Sequence, residues 1–250
     1  MTLQLTVSPD FSPDHIAGWY VFNTWLQRRL NLRIHLELYD DFDSQRTAIA
    51  ADQVDLIYAN PYDAAMLVRE KGFTAVAAPG NRPDEAVIAV PAESEVQRVE
   101  DLRPGVRVAV TRDPDVNLIG MIMLEPADLK GENVSTQQVS SYVLVAKHLL
   151  LGKADCGFFL KEAFDDLSVP IRRQLRPLVT SQISVVRHVL LAGPRMREHM
   201  PELVRLLLGM HTNSAEGGPR VLEALGLKQW EQQEQEDTEF MIDLMDTLMR

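Results

Sequence analysis

A single cysteine, Cys156, stands in a chain of 250 residues, which excludes an internal disulfide framework. By itself it reads as a small buried hydrophobe. No apolar run approaches the roughly 20 residues that a bilayer-spanning helix needs, so membrane insertion is not expected. Positive charge is scarce. Lys and Arg total 25 against 36 Asp and Glu, and the formal net charge of -11 disfavours nucleic acid and anionic membrane surfaces while steering cations toward the molecule. Signatures of catalysis are missing: there is no Gly-x-Ser-x-Gly elbow, no phosphate loop ending in Gly-Lys-Ser/Thr, no His-Glu-x-x-His and no Gly-x-Gly-x-x-Gly. The six histidines are scattered without a pair at helical ligand spacing, so neither a metal nor another cofactor is expected. Asp40-Asp41-x-Asp43 lacks the rest of a calcium loop and reads as a solvated turn.

What is present suits a globular α/β protein. Hydrophobic residues make up 46% and charged ones 24%, enough apolar material for one large domain or two smaller ones. The organising stretch is Val54-Asp55-Leu56-Ile57-Tyr58-Ala59-Asn60-Pro61-Tyr62. Val54 to Ala59 reads as a parallel strand buried on both faces, and Asn60-Pro61 reads as a cap followed by proline at the first helical position. Tyr58, Asn60 and Tyr62 then fall where strands end and helices begin, the edge at which open α/β sheets bind ligands.

The same device recurs. Ser12-Pro13 follows a strand at Leu3 to Val7, and Asp113-Pro114 follows one at Val106 to Val110. The first helix carries Ile16, Trp19, Phe22, Leu26 and Leu30 at spacings of three and four, which predicts a core stripe. Leu32 to Tyr39 alternates in the manner of an edge strand, and the helix from Pro61 should stop at Gly72. Further strands are expected at Thr74 to Ala78, Ala86 to Val90, Val134 to Val139, Ala154 to Phe159, Leu178 to Ser181 and Val185 to Leu191. After Pro194 the chain should be helical, with Leu203, Leu206, Leu207 and Met210 on one buried stripe and Phe240, Leu244 and Leu248 on another. The segment Glu231 to Glu236 reads as solvated surface.

The order of these elements resembles the phosphonate/phosphite-type substrate-binding proteins of ABC transporters. The stretches that carry the likeness are the opening strand with its Ser-Pro loop, the Val54 to Tyr62 segment, Glu100 to Val110, Leu149 to Gly157 and Ser181 to Pro194. The resemblance implies a two-lobed type II periplasmic binding fold with two crossover hinge strands. Residues 1–85 and 192–250 would form one lobe and residues 86–191 the other. It also implies capture of a small molecule in a cleft by hinge closure, with an ABC permease as partner in the periplasm. Met1 precedes a strand with no signal peptide between, so the alternatives are a trimmed periplasmic protein and a cytoplasmic ligand sensor with a signalling partner. A small-metabolite enzyme on the same fold is the competing class.

Carried over from the family's pattern, the ligand-binding candidates are Ser8, Ser12, Tyr58, Asn60, Tyr62, Thr111, Asp113, Asp115, Phe158 and Ser181. The family's second-lobe junction is rich in Ser and Thr that hold phosphonate oxygens, whereas this chain reads Thr111-Arg112-Asp113-Pro114-Asp115. A carboxylate at Asp113 would occupy the amides an oxyanion needs. An oxyanion stays open as the ligand, and the alternative is a pocket of aromatic Tyr58, Tyr62, Phe158 and Phe159 with an acidic floor, which would suit an amine or quaternary ammonium.

Overall fold

The computed structural model describes residues 2–11, 13–80 and 83–248. In chain order the elements are β1 (Leu3–Val7), α1 (Ile16–Leu30), β2 (Ile34–Leu38), α2 (Phe42–Ala50), β3 (Leu56–Ala59), α3 (Pro61–Lys71), β4 (Thr74–Pro79), β5 (Ala86–Pro91), β6 (Arg107–Val110), α4 (Pro114–Met123), β7 (Ser135–Gln138), α5 (Tyr142–Leu150), β8 (Cys156–Leu160), α6 (Lys161–Asp165), α7 (Val169–Arg172), β9 (Leu175–Thr180), β10 (Val189–Ala192), α8 (Met200–Leu208), α9 (Gly218–Ala224), β11 (Trp230–Gln232) and α10 (Gln235–Leu248). They form two compact units, the first from the chain up to residue 82 with Arg187–Met245, the second from Pro83–Val186 with the chain's end from Asp246.

The first unit is built on a six-stranded sheet of order β11-β4-β10-β3-β1-β2. β1 pairs in parallel with β2 and β3, while β10 runs antiparallel between β3 and β4. Val7 stands beside Tyr58, and Val189 stands beside Ala59. This register brings the end of β1, the end of β3 and the start of β10 to one edge. One sheet face packs on Trp19, Phe22, Leu26, Leu203, Leu207 and Val221; the other packs on Ile49, Ala64, Leu67 and Met241.

The second unit holds a five-stranded sheet of order β7-β6-β8-β5-β9. β6 is parallel to both β7 and β8, and β5 is antiparallel to β8 and β9. Ala86 faces Leu160, and Val87 faces Thr180, so the ends of β6, β8 and β9 share an edge with the start of β5.

Local chemistry explains the helix boundaries. Asn60 accepts from the Asp63 amide and is followed by Pro61, and α3 ends at Gly72 with φ 67°, where a left-handed cap suits glycine. The acidic turn is a cap as well: Asp41 accepts from the Ser44 amide and starts α2 at Phe42.

Four expectations are corrected. Ile16 is exposed, because a short 3-10 turn at Pro13–His15 rotates the start of α1 away from the core. On α10 Phe240 is exposed, and Met241, Ile242 and Met245 make the buried stripe, so the sequence reading chose the wrong phase of the helical period; Leu244 is half-buried. The acidic segment after Gln229 begins as a strand, β11, that Trp230 anchors by burial. The return strand is only Val189–Ala192, and the residues before it are irregular.

Candidate functional site

At the edge of the first unit, β1 runs into the Ser8-Pro9-Asp10 loop. Ser8 donates its amide to the Tyr58 carbonyl at 2.8 Å and accepts from Asn60 Nδ2 at 3.0 Å, which buries both side chains completely. Asn60 Nδ2 also reaches Asp63 Oδ2 at 3.0 Å, and Arg46 grips the same carboxylate with Nε at 2.6 Å and Nη2 at 3.3 Å. The Arg46 guanidinium lies 4.9 Å from the centre of the Tyr62 ring, a cation–π contact, and Tyr62 is 40% exposed.

Beside them sits a pair that residue spacing did not reveal. His188 Nε2 lies 3.0 and 3.1 Å from the two oxygens of Asp10, and its ring stacks on Tyr58 with centroids 5.1 Å apart. Burial pushes the Asp10 carboxyl up, but the charge of His188 and hydrogen bonds from His188 and Ser8 outweigh it, leaving Asp10 below the usual carboxylate value. Tyr58 is packed further by Trp19 at 5.0 Å and edge-on by Trp230 at 6.0 Å.

At the edge of the second unit, Asp113 caps α4. Its Oδ1 accepts from the amides of Asp115 and Val116 at 3.1 and 3.2 Å, and its carbonyl accepts from the Asn117 amide at 3.2 Å. Pro114 has no amide hydrogen, so every donor of the first helical turn is engaged by Asp113. Tyr142, at the start of α5, donates its hydroxyl to Asp113 Oδ2 at 2.7 Å. Thr111 Oγ1 accepts from the Asp113 amide at 3.3 Å, and Asp115 is 3% exposed.

Ser181, at the end of β9, accepts from the Ala86 amide at 2.9 Å and donates its hydroxyl to Glu85. Glu85 also accepts from the amides of Ile183 and Ser184 at 3.1 and 2.8 Å. The aromatic wall is not on this surface. Phe158 is 1% exposed with its ring filling the space over Gly120 of α4, and Phe159 is buried between Tyr142 and Phe164.

Of the ten candidates, Ser8, Tyr58, Asn60 and Tyr62 thus meet at one edge, Thr111, Asp113 and Asp115 meet at the other, and Ser181 joins the Glu85 cluster. Ser12 lies outside the described residues. Asp10 was findable as the acid two positions after Ser8. His188 carried no signal, since it follows Asp10 by 178 positions and its role comes from sheet register. Among the described residues no group of three His, Cys, Asp or Glu could hold a metal ion.

Two sheets of mixed strand direction, each with one parallel strand running into a capped, proline-started helix, β3 into α3 and β6 into α4, match the two-lobed periplasmic binding proteins. The chain belongs to the family of phosphonate periplasmic substrate-binding proteins of ABC transporters, matching it over residues 5–238. Its fold is similar to that of PhnD1 from Prochlorococcus marinus in complex with methylphosphonate, with a TM-score of 0.84 and 13% identity over 99% of this chain and 98% of that one. A protein from Xanthomonas citri bound to ATP gives 0.79 at 16% identity, covering 100% of this chain and 97% of that one. A binding protein component of an ABC phosphonate transporter from Pseudomonas aeruginosa gives 0.77 at 14% identity, covering 98% and 87%. No curated protein sequence matches the chain. The family is one of substrate-binding proteins, not enzymes, and its members work in the periplasm with ABC transporters.

Proposed function

We propose that this chain captures a small solute carrying a positive charge, delivers it to an ABC permease in the periplasm, and does not take a doubly charged phosphonate at the start of α4. One observation carries the ligand reading: the amides of Asp115, Val116 and Asn117 are already held by Asp113. An oxyanion gains at a helix amino end because free N–H groups point at it, and here those of Asp115 and Val116 point at the Asp113 carboxylate and that of Asn117 at its carbonyl. The net charge of -11 adds long-range attraction for cations. No described helix is long and apolar enough to cross a membrane, which fits a carrier that hands its ligand to a separate permease.

The chain passes between the units after residues 82 and 186 and again after Met245, covalent connections of the kind hinge closure uses. A thermal-shift panel tests the reading, with phosphate, phosphite and alkylphosphonates in one arm and polyamines, choline and betaines in the other. Ligand at 100 times its dissociation constant should add about 2.7 kcal/mol, a shift of roughly 5 °C for a chain of this size. Stabilisation by phosphonates with none by cations would reject the cationic reading while keeping the family's function. Small-angle scattering should show contraction with whichever solute stabilises the protein.

A further inference from the structure

The edge at which β1 and β3 end carries a cation held in a fixed orientation. Gln45 of α2 donates Nε2 to the Val7 carbonyl at 2.8 Å, which seats the first turns of α2 beside the end of β1. Arg46, the next residue, sends Nε and Nη2 to the two oxygens of Asp63 at 2.6 and 3.3 Å. Asn60 Nδ2, which also holds Ser8, reaches the second of those oxygens at 3.0 Å. The guanidinium lies 5.3 Å from the centre of the Phe42 ring and 4.9 Å from that of Tyr62.

This arrangement exceeds what neutralising Asp63 requires. Asp63 is 1% exposed, and a compact ammonium would balance its charge. A guanidinium bound through Nε and Nη2 keeps both hydrogens of Nη1 and the second hydrogen of Nη2, and the outward pair of these runs parallel in the guanidinium plane. Among the described residues nothing engages Nη1, and the Arg46 side chain is 31% exposed. Two parallel N–H groups match a carboxylate bidentately. The rings and the buried acid have already removed the side chain's rotamer freedom, so an incoming carboxylate meets a preorganised fork.

We propose that Arg46 is a specificity-determining residue that receives a carboxylate of the ligand at this edge of the first unit. The solute is then a zwitterion, with an ammonium and a carboxylate, and not a simple cation. This inference rests on the cationic reading above and adds that the same solute carries a negative group.

The test is isothermal titration of the full chain with two matched pairs, choline against glycine betaine and ethanolamine against glycine. Within each pair the ammonium is the same and a carboxylate replaces a hydroxymethyl group. In whichever pair binds, the carboxylate should bind tighter by about tenfold or more, the worth of a hydrogen bond between charged groups. In Arg46→Lys the ratio should fall to within about threefold, because the ammonium goes to Asp63 and the fork is lost. Arg46→Gln combined with Asp63→Asn leaves no buried charge unpaired and should lower the ratio in the same way. A residue with only a structural role would weaken both members of a pair alike, or abolish both, and either result in both variants overturns the inference. An alcohol that binds the wild type as tightly as its carboxylate would also overturn it and leave the cationic reading standing. If none of the compounds binds, the inference falls, and the panel of cations and phosphonates decides whether the cationic reading falls with it.

Discussion

His188 and Asp10, 178 positions apart, form a buried ion pair whose imidazole also stacks on Tyr58. The side chains are 11% and 3% exposed, so this pair is shielded from solvent far better than the surface bridges of the chain. It fixes the Ser8 loop to the start of β10 and holds the face of Tyr58.

The pair has a pH signature. Asp10 is held below its usual value, so its contribution is fully present above its unfolded pKa of about 3.9 and is lost as pH falls through the lower folded value. His188→Ala leaves the carboxylate buried without its partner and should cost about 3 kcal/mol at pH 7. Burial alone then raises Asp10, so the gap between variant and wild type should narrow as pH falls toward about 3.9 and below. Urea denaturation at a series of pH values checks this; a gap independent of pH would refute it.

Asp113→Ser replaces one helix cap by another and removes the charge. Stability should fall by about 1.5 to 3 kcal/mol, since serine keeps the cap but loses the charge-assisted bond from Tyr142. Affinity for a cationic solute should fall, and affinity for methylphosphonate should rise as amides of α4 become available. Calorimetry with both solutes checks the sign, and a reversed pattern would show that Asp113 acts only as a cap.

Glu85 should control the segment that leads back toward the first unit. Its carboxylate holds Ser181 and the amides of Ile183 and Ser184, and Ser184 sits at φ 64°, a left-handed conformation that serine rarely adopts. Glu85→Ala should speed hydrogen exchange at the Ile183 and Ser184 amides by at least about tenfold, since each loses a charge-assisted bond. Unchanged exchange would mean that the segment is held by other contacts.

Cys156 should be inert in the folded protein. Burial, with a smaller effect from the neighbouring Asp155 charge, pushes its thiol up to about 12, and the reactive species is the thiolate. A thiol reagent at mildly alkaline pH should label it only after denaturation. Rapid labelling of the native protein would show that β8 opens readily.

Packing between elements was hidden from a reading of spacing. Gly120 and Gly18 lie inside helices α4 and α1. In the folded chain the Phe158 ring lies 2.4 Å from where a Gly120 Cβ would be, and the Ala224 carbonyl lies 2.1 Å from that of Gly18. The first contact is with a ring, the second with the backbone of α9. The same burial withdrew Phe158 from the aromatic wall that its place at a strand end had suggested.

The sequence by itself determined the elements and ends that rest on local signals: the alternation of β2, the caps at Asn60 and Asp113, and the glycine stop at Gly72. These rest on interactions within a few residues, which spacing records directly. The tertiary structure alone decided which distant groups meet. Sheet register set His188 beside Asp10, and the packing of α5 brought Tyr142 to Asp113 across 29 positions. Such contacts depend on how whole elements are ordered and rotated, so no local pattern of residue types can encode them.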